Sequence, residues 1–193
     1  MAGEQDLHGN GVSVGVLRGG YRHPFWPNYR ASGGIGSQRA GCRLSGSCRT
    51  RSTMNHHAQG SFEVSAEREP PYDSTDDVRL ARTRISKRFE GDLQATSSVE
   101  MISAANAQAQ GSAGYVAMER VRGSLAGRSG SFVLQHSGTM DRGAASLSVS
   151  VVPDTGTGEL AGLRGKMAIK VTEDKHLYTF EYWFVDEAAA DPA

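Results

Sequence analysis

Several features that would narrow down a function are scarce or missing in this sequence of 193 residues. It contains two cysteines and two tryptophans, and its 21 basic residues balance its 21 acidic ones. Zero net charge excludes a protein that binds nucleic acid or an anionic membrane with its whole surface. No run approaches the roughly 18 apolar residues of a membrane span, and no short apolar segment follows a charged start. We therefore predict a cytoplasmic protein with no nucleic-acid partner and no membrane contact.

The composition changes sharply near residue 53. Residues 1–53 hold seven arginines, no lysine, two acidic residues and eleven of the 24 glycines, so this segment carries a net charge of +5. Its apolar residues follow neither the helical nor the strand period, and they are too few to offset the entropy of an ordered chain. We predict a disordered Gly/Arg-rich leader over residues 1–53, one folded domain over 54–186 and a flexible tail over 187–193.

The leader is open to three functional interpretations beside disorder. Its arginines and aromatic residues are typical of an RNA-binding arm, although no RGG repeat is present. Cys42 and Cys48, with the histidines after Met54, offer zinc ligands at an unfavourable spacing, and we predict no metal site. Arginine content suits a targeting peptide, but the acidic residues and glycines oppose it. The simplest interpretation is that Met54 is the natural start and that the leader has no evolved role.

From residue 59 onward the apolar residues alternate with polar ones, which is the period of half-buried β-strands. Phe62, Val64 and Ala66 form one such series, and Gly91-Asp92 is a tight-turn signal between two others. No segment sustains a helical period over 12 residues. The predicted strands span residues 59–68, 79–90, 92–104, 114–122, 129–139, 144–152, 166–172 and 176–185.

Eight strands joined by short turns predict an all-β fold. Two long exposed edges would invite aggregation, and closure into a barrel removes both of them. Eight strands enclose an interior that holds packed side chains or one small ligand. We therefore predict an eight-stranded antiparallel closed β-barrel, with a two-sheet sandwich as the alternative. Leu160 and Leu163, three residues apart within a glycine-rich stretch, are placed to plug one barrel end.

Several phrases of the folded part are distinctive. They are GSFEV at 60–64, PYD at 71–73, ERVRG at 119–123, GRSGSFVLQHSG at 127–138 and GTGELAGLRG at 156–165. In these phrases residues 54–185 resemble DUF3224, a family of uncharacterised bacterial proteins, in which Phe is usual at the position of Val121. The resemblance implies a barrel like that of allene oxide cyclase and the plant dirigent proteins. It implies no activity, because fold and function separate readily.

Candidate catalytic residues are the polar groups expected to face the barrel interior. Glu119 lies on the same strand face as Tyr115, and His136 shares a face with apolar residues. Burial raises the pKa of a carboxyl and lowers that of an imidazole, so Glu119 and His136 are candidates for proton exchange, with Glu100 as a third. In the competing interpretation His136 is a hydrogen-bonded core residue and Glu119 pairs with a cation on a neighbouring strand.

An aromatic row occupies one face of the last predicted strand, and it either fills the barrel or forms a subunit interface. His176, just before this strand, is predicted to lie in a polar turn without a role. The predicted ligand-binding residues are Tyr115, Glu119, Phe132, Leu134, His136, Tyr178 and Tyr182.

Three functions remain open at this point. In the first, the barrel binds a small apolar or amphipathic molecule, and we predict that it does so as a homo-oligomer. In the second, it is a cofactor-free cyclase or isomerase. In the third, it is filled solid and acts through an oligomer or partner surface. A cavity well below about 300 Å³ favours the solid barrel. Catalysis requires Glu119 and His136, or Glu100, within about 3.5 Å of a shared void. No cofactor is predicted for any of the three.

Overall fold

The computed structural model describes residues 54–172 and 175–185, so the predicted leader, its cysteines and the predicted tail lie outside the described residues. The described residues form eight antiparallel strands that close into one barrel in chain order, which confirms the predicted fold. One 3-10 helix, η1, precedes β7, and no helix in the described ranges has the length and apolarity to cross a membrane. The elements are β1 His56–Arg68, β2 Val78–Gly91, β3 Leu93–Asn106, β4 Ala113–Leu125, β5 Arg128–Asp141, β6 Ala144–Val151, η1 Gly158–Leu160, β7 Leu163–Val171 and β8 His176–Phe184.

Tight turns connect the hairpins and allow longer strands than the sequence predicted. Ala126 and Gly127 both have positive φ, 48° and 86°, as a two-residue hairpin turn of type I′ requires. The pairing therefore continues to Leu125 and Arg128. Strand β4 also runs through Gly123, beyond its predicted end at residue 122. A Cβ on Gly123 would lie 2.2 Å from the carbonyl oxygen of Gln94, so a side chain is excluded by the close approach of β3.

The barrel interior is filled at one end. This end holds the β2–β3 and β4–β5 turns together with η1. Leu160 on η1 is 1% exposed, and it packs in one cluster with Leu93, Leu125 and Leu163. The predicted plug is confirmed by this burial. The aromatic row of β8 belongs to the same cluster, with Tyr178, Phe180 and Tyr182 buried, so it packs in the core.

The opposite half of the barrel has a smaller core. Ile85, Val99, Met101 and Ala117 form a second cluster there, with Tyr115 partly buried against it. This half adjoins the β3–β4 and β7–β8 turns. The incomplete filling leaves space for the site described below.

One seam of the barrel is weakly paired. Among the described residues, β6 and β7 are joined at the single pair Ser150 and Lys166. Every other neighbouring pair of strands shares between seven and thirteen residue pairs. Leu147 of β6 and Ile169 of β7 are only partly buried beside this seam. The sheet is therefore closed at this line by little backbone pairing.

Candidate functional site

The candidate site is built around Glu119, an inward-facing residue in the middle of β4. Its side chain is 0% exposed and is hydrogen-bonded to side chains on β2, β3 and β5. The Oε2 atom lies 2.7 Å from Nζ of Lys87 on β2 and 2.8 Å from Nε2 of His136 on β5. The Oε1 atom accepts a hydrogen bond of 2.5 Å from Oγ of Ser97 on β3. Alternation places all four side chains inside the barrel. Strands β3 and β5 pair directly with β4, and β2 lies one strand further along the sheet.

The carboxyl of Glu119 is ionised because its partners outweigh its burial. Burial by itself would raise the pKa, but the Lys87 ammonium and the hydrogen bond with His136 lower it to about 2. The expectation that the barrel raises the pKa of this carboxyl is therefore wrong. The missing element in that expectation was Lys87, which supplies an opposite charge at contact distance.

The imidazole of His136 has a lowered pKa, chiefly because of burial and also because of the nearby Lys87 ammonium. The Glu119 carboxylate opposes this shift without overcoming it. A neutral ring that contacts an ionised carboxylate through Nε2 must carry its proton there and donate it. The lone pair of His136 is then on Nδ1. The ring direction and tautomer are thus set by Glu119.

A cavity of about 60 Å³, partly open, lies in the less filled half of the barrel. Lys87, His136 and His176 bring basic groups to its wall. The Lys87 ammonium also lies 5.0 Å from the ring centre of Phe62, within cation–π range. Among residues 54–172 and 175–185, no group of three or more His, Cys, Asp and Glu side chains is arranged to hold a metal ion. The other lining residues are Phe62, Val64, Ile85, Val99, Met101, Tyr115, Ala117, Leu147, Ile169 and Val171.

The predicted ligand-binding residues separate into two groups. Tyr115 and His136 line the cavity, and Glu119 lies behind it in contact with Lys87 and His136. The other four, by contrast, belong to the main core cluster, and they are Phe132, Leu134, Tyr178 and Tyr182. They fill the barrel instead of lining the cavity, because the plug at η1 closes their end.

Two residues of this second group show how the filled half is held. The Phe132 ring stacks on Phe180 at 5.9 Å between centres. The Tyr178 hydroxyl accepts a hydrogen bond from the Leu93 amide at 2.9 Å and donates to the Glu90 carbonyl at 3.3 Å. A buried hydroxyl with both functions satisfied is part of the core. The structure therefore assigns these residues to packing.

Glu100 lies on the outer face of the barrel and leaves the set of candidate catalytic residues. Its side chain is 53% exposed and pairs with Arg82 at 3.0 Å and Arg84 at 3.6 Å. The neighbours Val99 and Met101 point inward, and strand alternation turns Glu100 outward.

Three residues of the site were not predicted from the sequence. Lys87 and Ser97 were not singled out, although Lys87 alternates in phase with the inward residues Ile85 and Phe89, which is a detectable signal. His176 was assigned to a polar turn, but it is the first residue of β8. Its ring stacks on Phe62 at 5.2 Å and lines the cavity.

Comparisons with known proteins agree with this architecture. The family model described as "Protein of unknown function (DUF3224)" matches residues 58–182. The chain belongs to the DUF3224 family. A crystal structure of a DUF3224 protein of unknown function from Shewanella oneidensis MR-1 is 44% identical, with a TM-score of 0.65. The match covers 69% of this chain and all of that one. No curated protein matches the sequence.

The stability of this DUF3224 barrel is expected to fall in two stages as the pH decreases. His136 has a lower pKa folded than unfolded, so its contribution is complete above about pH 6.5 and is lost as the pH falls below that value. Glu119 contributes fully above about pH 4.5, and this contribution is lost as the pH approaches about 2. Each unit of pKa shift corresponds to about 1.4 kcal/mol. Urea unfolding between pH 8 and pH 2 measures both stages.

Two histidine variants separate the contributions of this DUF3224 chain. His136→Gln is expected to flatten the stage that begins near pH 6.5, although His176, whose pKa is also lowered by burial, retains a part of it. His57→Gln, at an exposed position of β1, is the matched control and leaves the profile unchanged. A wild-type stability that is constant from pH 8 to pH 5 would contradict the assignment.

Proposed function

We propose that the barrel binds one small molecule, with its apolar part against the cavity wall and one polar group at Lys87 and His136. The observation that carries this proposal is the position of a buried charged cluster at the wall of an otherwise apolar cavity. Ligand sites commonly combine an apolar surface with a few convergent polar groups.

A buried charged cluster costs desolvation free energy, which a purely structural role does not require. Apolar residues of similar volume often replace a buried ion pair with no loss of stability, or with a gain. Lys87 and Glu119 are a pair of this kind, at 9% and 0% side-chain exposure. The ammonium uses one N–H on Glu119 and keeps donors for another acceptor, while the lone pair of His136 Nδ1 can accept. The cluster therefore offers a donor and an acceptor to a bound molecule.

The cavity volume limits the size of the ligand. About 60 Å³ is well below the several hundred Å³ of typical drug-sized sites. One water needs about 10–15 Å³ of cavity volume, so the cavity has room for roughly four waters. By the volume criterion given above, about 60 Å³ favours the solid barrel over a drug-sized site. This volume restricts the proposal to a molecule, or an inserted end of a longer one, with a handful of non-hydrogen atoms.

Acid–base catalysis without a cofactor is the second candidate, favoured by the 2.8 Å contact between Glu119 and His136. A base needs a reactive lone pair and a partner that orients it. His136 would be the base through Nδ1, and Glu119 would orient the ring instead of exchanging the proton itself. An isomerase or a cyclase requires no more than this from the chain, together with a substrate that fits the cavity.

Filling the cavity tests the proposal. Ala117 is buried and lines the cavity, and Ala117→Leu places additional carbon atoms in it. We expect the wild-type protein from its own host to carry a bound small molecule in native mass spectra, and Ala117→Leu to lose it while remaining folded. Val116→Leu, at a neighbouring position that is 57% exposed, is the matched control.

The same experiment distinguishes the alternatives. A wild-type barrel that binds no molecule, in native spectra or in an NMR screen of small compounds, would contradict the proposal. Equal binding by Ala117→Leu would contradict the location. Conversion of the bound compound into an isomer by wild type, and not by His136→Gln, would favour catalysis. The native masses also count subunits and so test the predicted homo-oligomer.

A further inference from the structure

We propose that the molecule bound in this cavity is a small carboxylic acid, held as its carboxylate by Lys87, and that His136 takes up one proton as it binds. This inference rests on the proposed function and names its ligand class. It concerns the charge that the cavity can accept, which the binding proposal leaves open.

Basic groups lie at the cavity wall, whereas the Glu119 carboxylate lies behind them. Basic side chains reach the wall from three strands, with Lys87 on β2, His136 on β5 and His176 on β8. Tyr115 of β4 lines the cavity as well, whereas the carboxylate of Glu119 lies behind Lys87 and His136. All three basic groups line the same cavity, and the Lys87 charge lowers the pKa of both histidines. A carboxylate fits this arrangement, and an ammonium group would meet like charge.

Charge neutrality in the cavity requires that His136 take up a proton when a carboxylate binds. With His136 neutral, the positive charge of Lys87 and the negative charge of Glu119 cancel. A carboxylate would add one uncompensated negative charge in a largely apolar space, which is costly. A proton taken from solvent by Nδ1 of His136 restores neutrality. Nδ1–H then donates to the ligand, Nε2–H continues to donate to Glu119, and Lys87 lies between two carboxylates. No covalent bond forms or breaks.

The apolar wall makes the affinity depend on the length of the ligand's aliphatic chain. Each methylene buried against it contributes about fourfold in affinity, which follows from about 0.8 kcal/mol per buried CH₂. The effect should continue until the cavity is filled, which happens after a few carbon atoms at about 60 Å³. An inorganic anion gains nothing from this wall. Chain-length dependence thus separates an aliphatic acid from phosphate or chloride.

Isothermal titration calorimetry tests the ligand class. The probes are acetate, butyrate and hexanoate, with butanol, butyramide and butylamine as matched compounds of other charge. We expect the acids to bind best and butylamine not to bind. Titration of butyrate in HEPES and in Tris, which differ in ionisation enthalpy, should give an uptake approaching one proton per bound acid at pH 7. Above the pKa of His136 in the complex, affinity should fall by up to tenfold per pH unit.

Three variants test which residues take up the proton and which favour the carboxylate. His136→Gln is expected to abolish the proton uptake and the pH dependence of butyrate binding. Lys87→Met is expected to remove the preference for butyrate over butanol. Lys170→Met, an exposed lysine on β7, should behave as wild type. NMR titration of the His136 ring with and without butyrate gives a second measurement in the folded protein.

The possible failures are distinguishable. Equal or tighter binding of butanol or butyramide overturns the acid preference but leaves the proposed function in place. Binding of butyrate without proton uptake overturns the role of His136. If none of the probes binds and the protein from its host carries no small molecule, the proposed function fails together with this inference.

Discussion

Replacing Glu119 with leucine is expected to lower the free energy of unfolding by about 3–5 kcal/mol. The substitution leaves the ammonium of Lys87 inside the barrel without its carboxylate at 2.7 Å, and it removes the acceptor for His136 and Ser97. A buried charge that loses its partner keeps the full cost of its removal from water. Urea unfolding at pH 7 measures the loss.

A double-mutant cycle tests whether this cost belongs to the pair. Lys87→Met alone is also expected to destabilise, because it leaves the Glu119 carboxylate with His136 and Ser97 only. The double variant Lys87→Met/Glu119→Leu should regain much of the loss, since two apolar residues of similar volume need no counter-charge. Losses that simply add would contradict the coupling. Glu100→Gln is the control on the outer face, where loss of exposed ion pairs costs about 1 kcal/mol or less.

Leu160→Ala is expected to cost about 2–5 kcal/mol, because it empties the plug at the filled end of the barrel. Leu160 is 1% exposed on η1 and packs with Leu93, Leu125 and Leu163. The cavity lies in the opposite half, so any affinity of the folded variant for butyrate should remain within about twofold of wild type, well under the tenfold that 1.4 kcal/mol would produce.

The matched control for the plug is Leu177→Ala on β8. Leu177 is 36% exposed, so its truncation removes less buried surface and should cost clearly less than the change at Leu160. Unfolding in urea and calorimetry with butyrate provide the two measurements. Loss of butyrate binding by a Leu160→Ala variant that is still folded would contradict the separation of plug and cavity.

The barrel was predictable from sequence because its signals are local. Period-two alternation and turn glycines mark each strand, and both depend only on neighbouring residues. The predicted end of β4 at residue 122 was wrong. Gly123 is required there by the close approach of Gln94 on β3, and that approach depends on strand pairing and not on neighbouring residues. The likeness to the allene oxide cyclase barrel stays a prediction.

The site was predictable only in part. Alternation placed Glu119 and His136 inside correctly, yet it gave Lys87 no partner, since contact between β2 and β4 depends on how the closed sheet staggers its strands. Which inward residues belong to the core and which line the cavity was also not predicted. Leu134 and Tyr115 alternate in the same manner, but only the end of the barrel opposite η1 retains space.

The weak seam has a consequence for the size of the ligand. Strands β6 and β7 are joined at Ser150 and Lys166 alone among the described residues, and Leu147 and Ile169 beside them form part of the cavity wall. Separating two strands that share few hydrogen bonds requires less free energy than parting any other pair in this sheet. The cavity wall is thus most deformable at this seam. An aliphatic chain longer than the cavity would enter the proposed site only by widening this gap, with Lys87 and His136 staying in place.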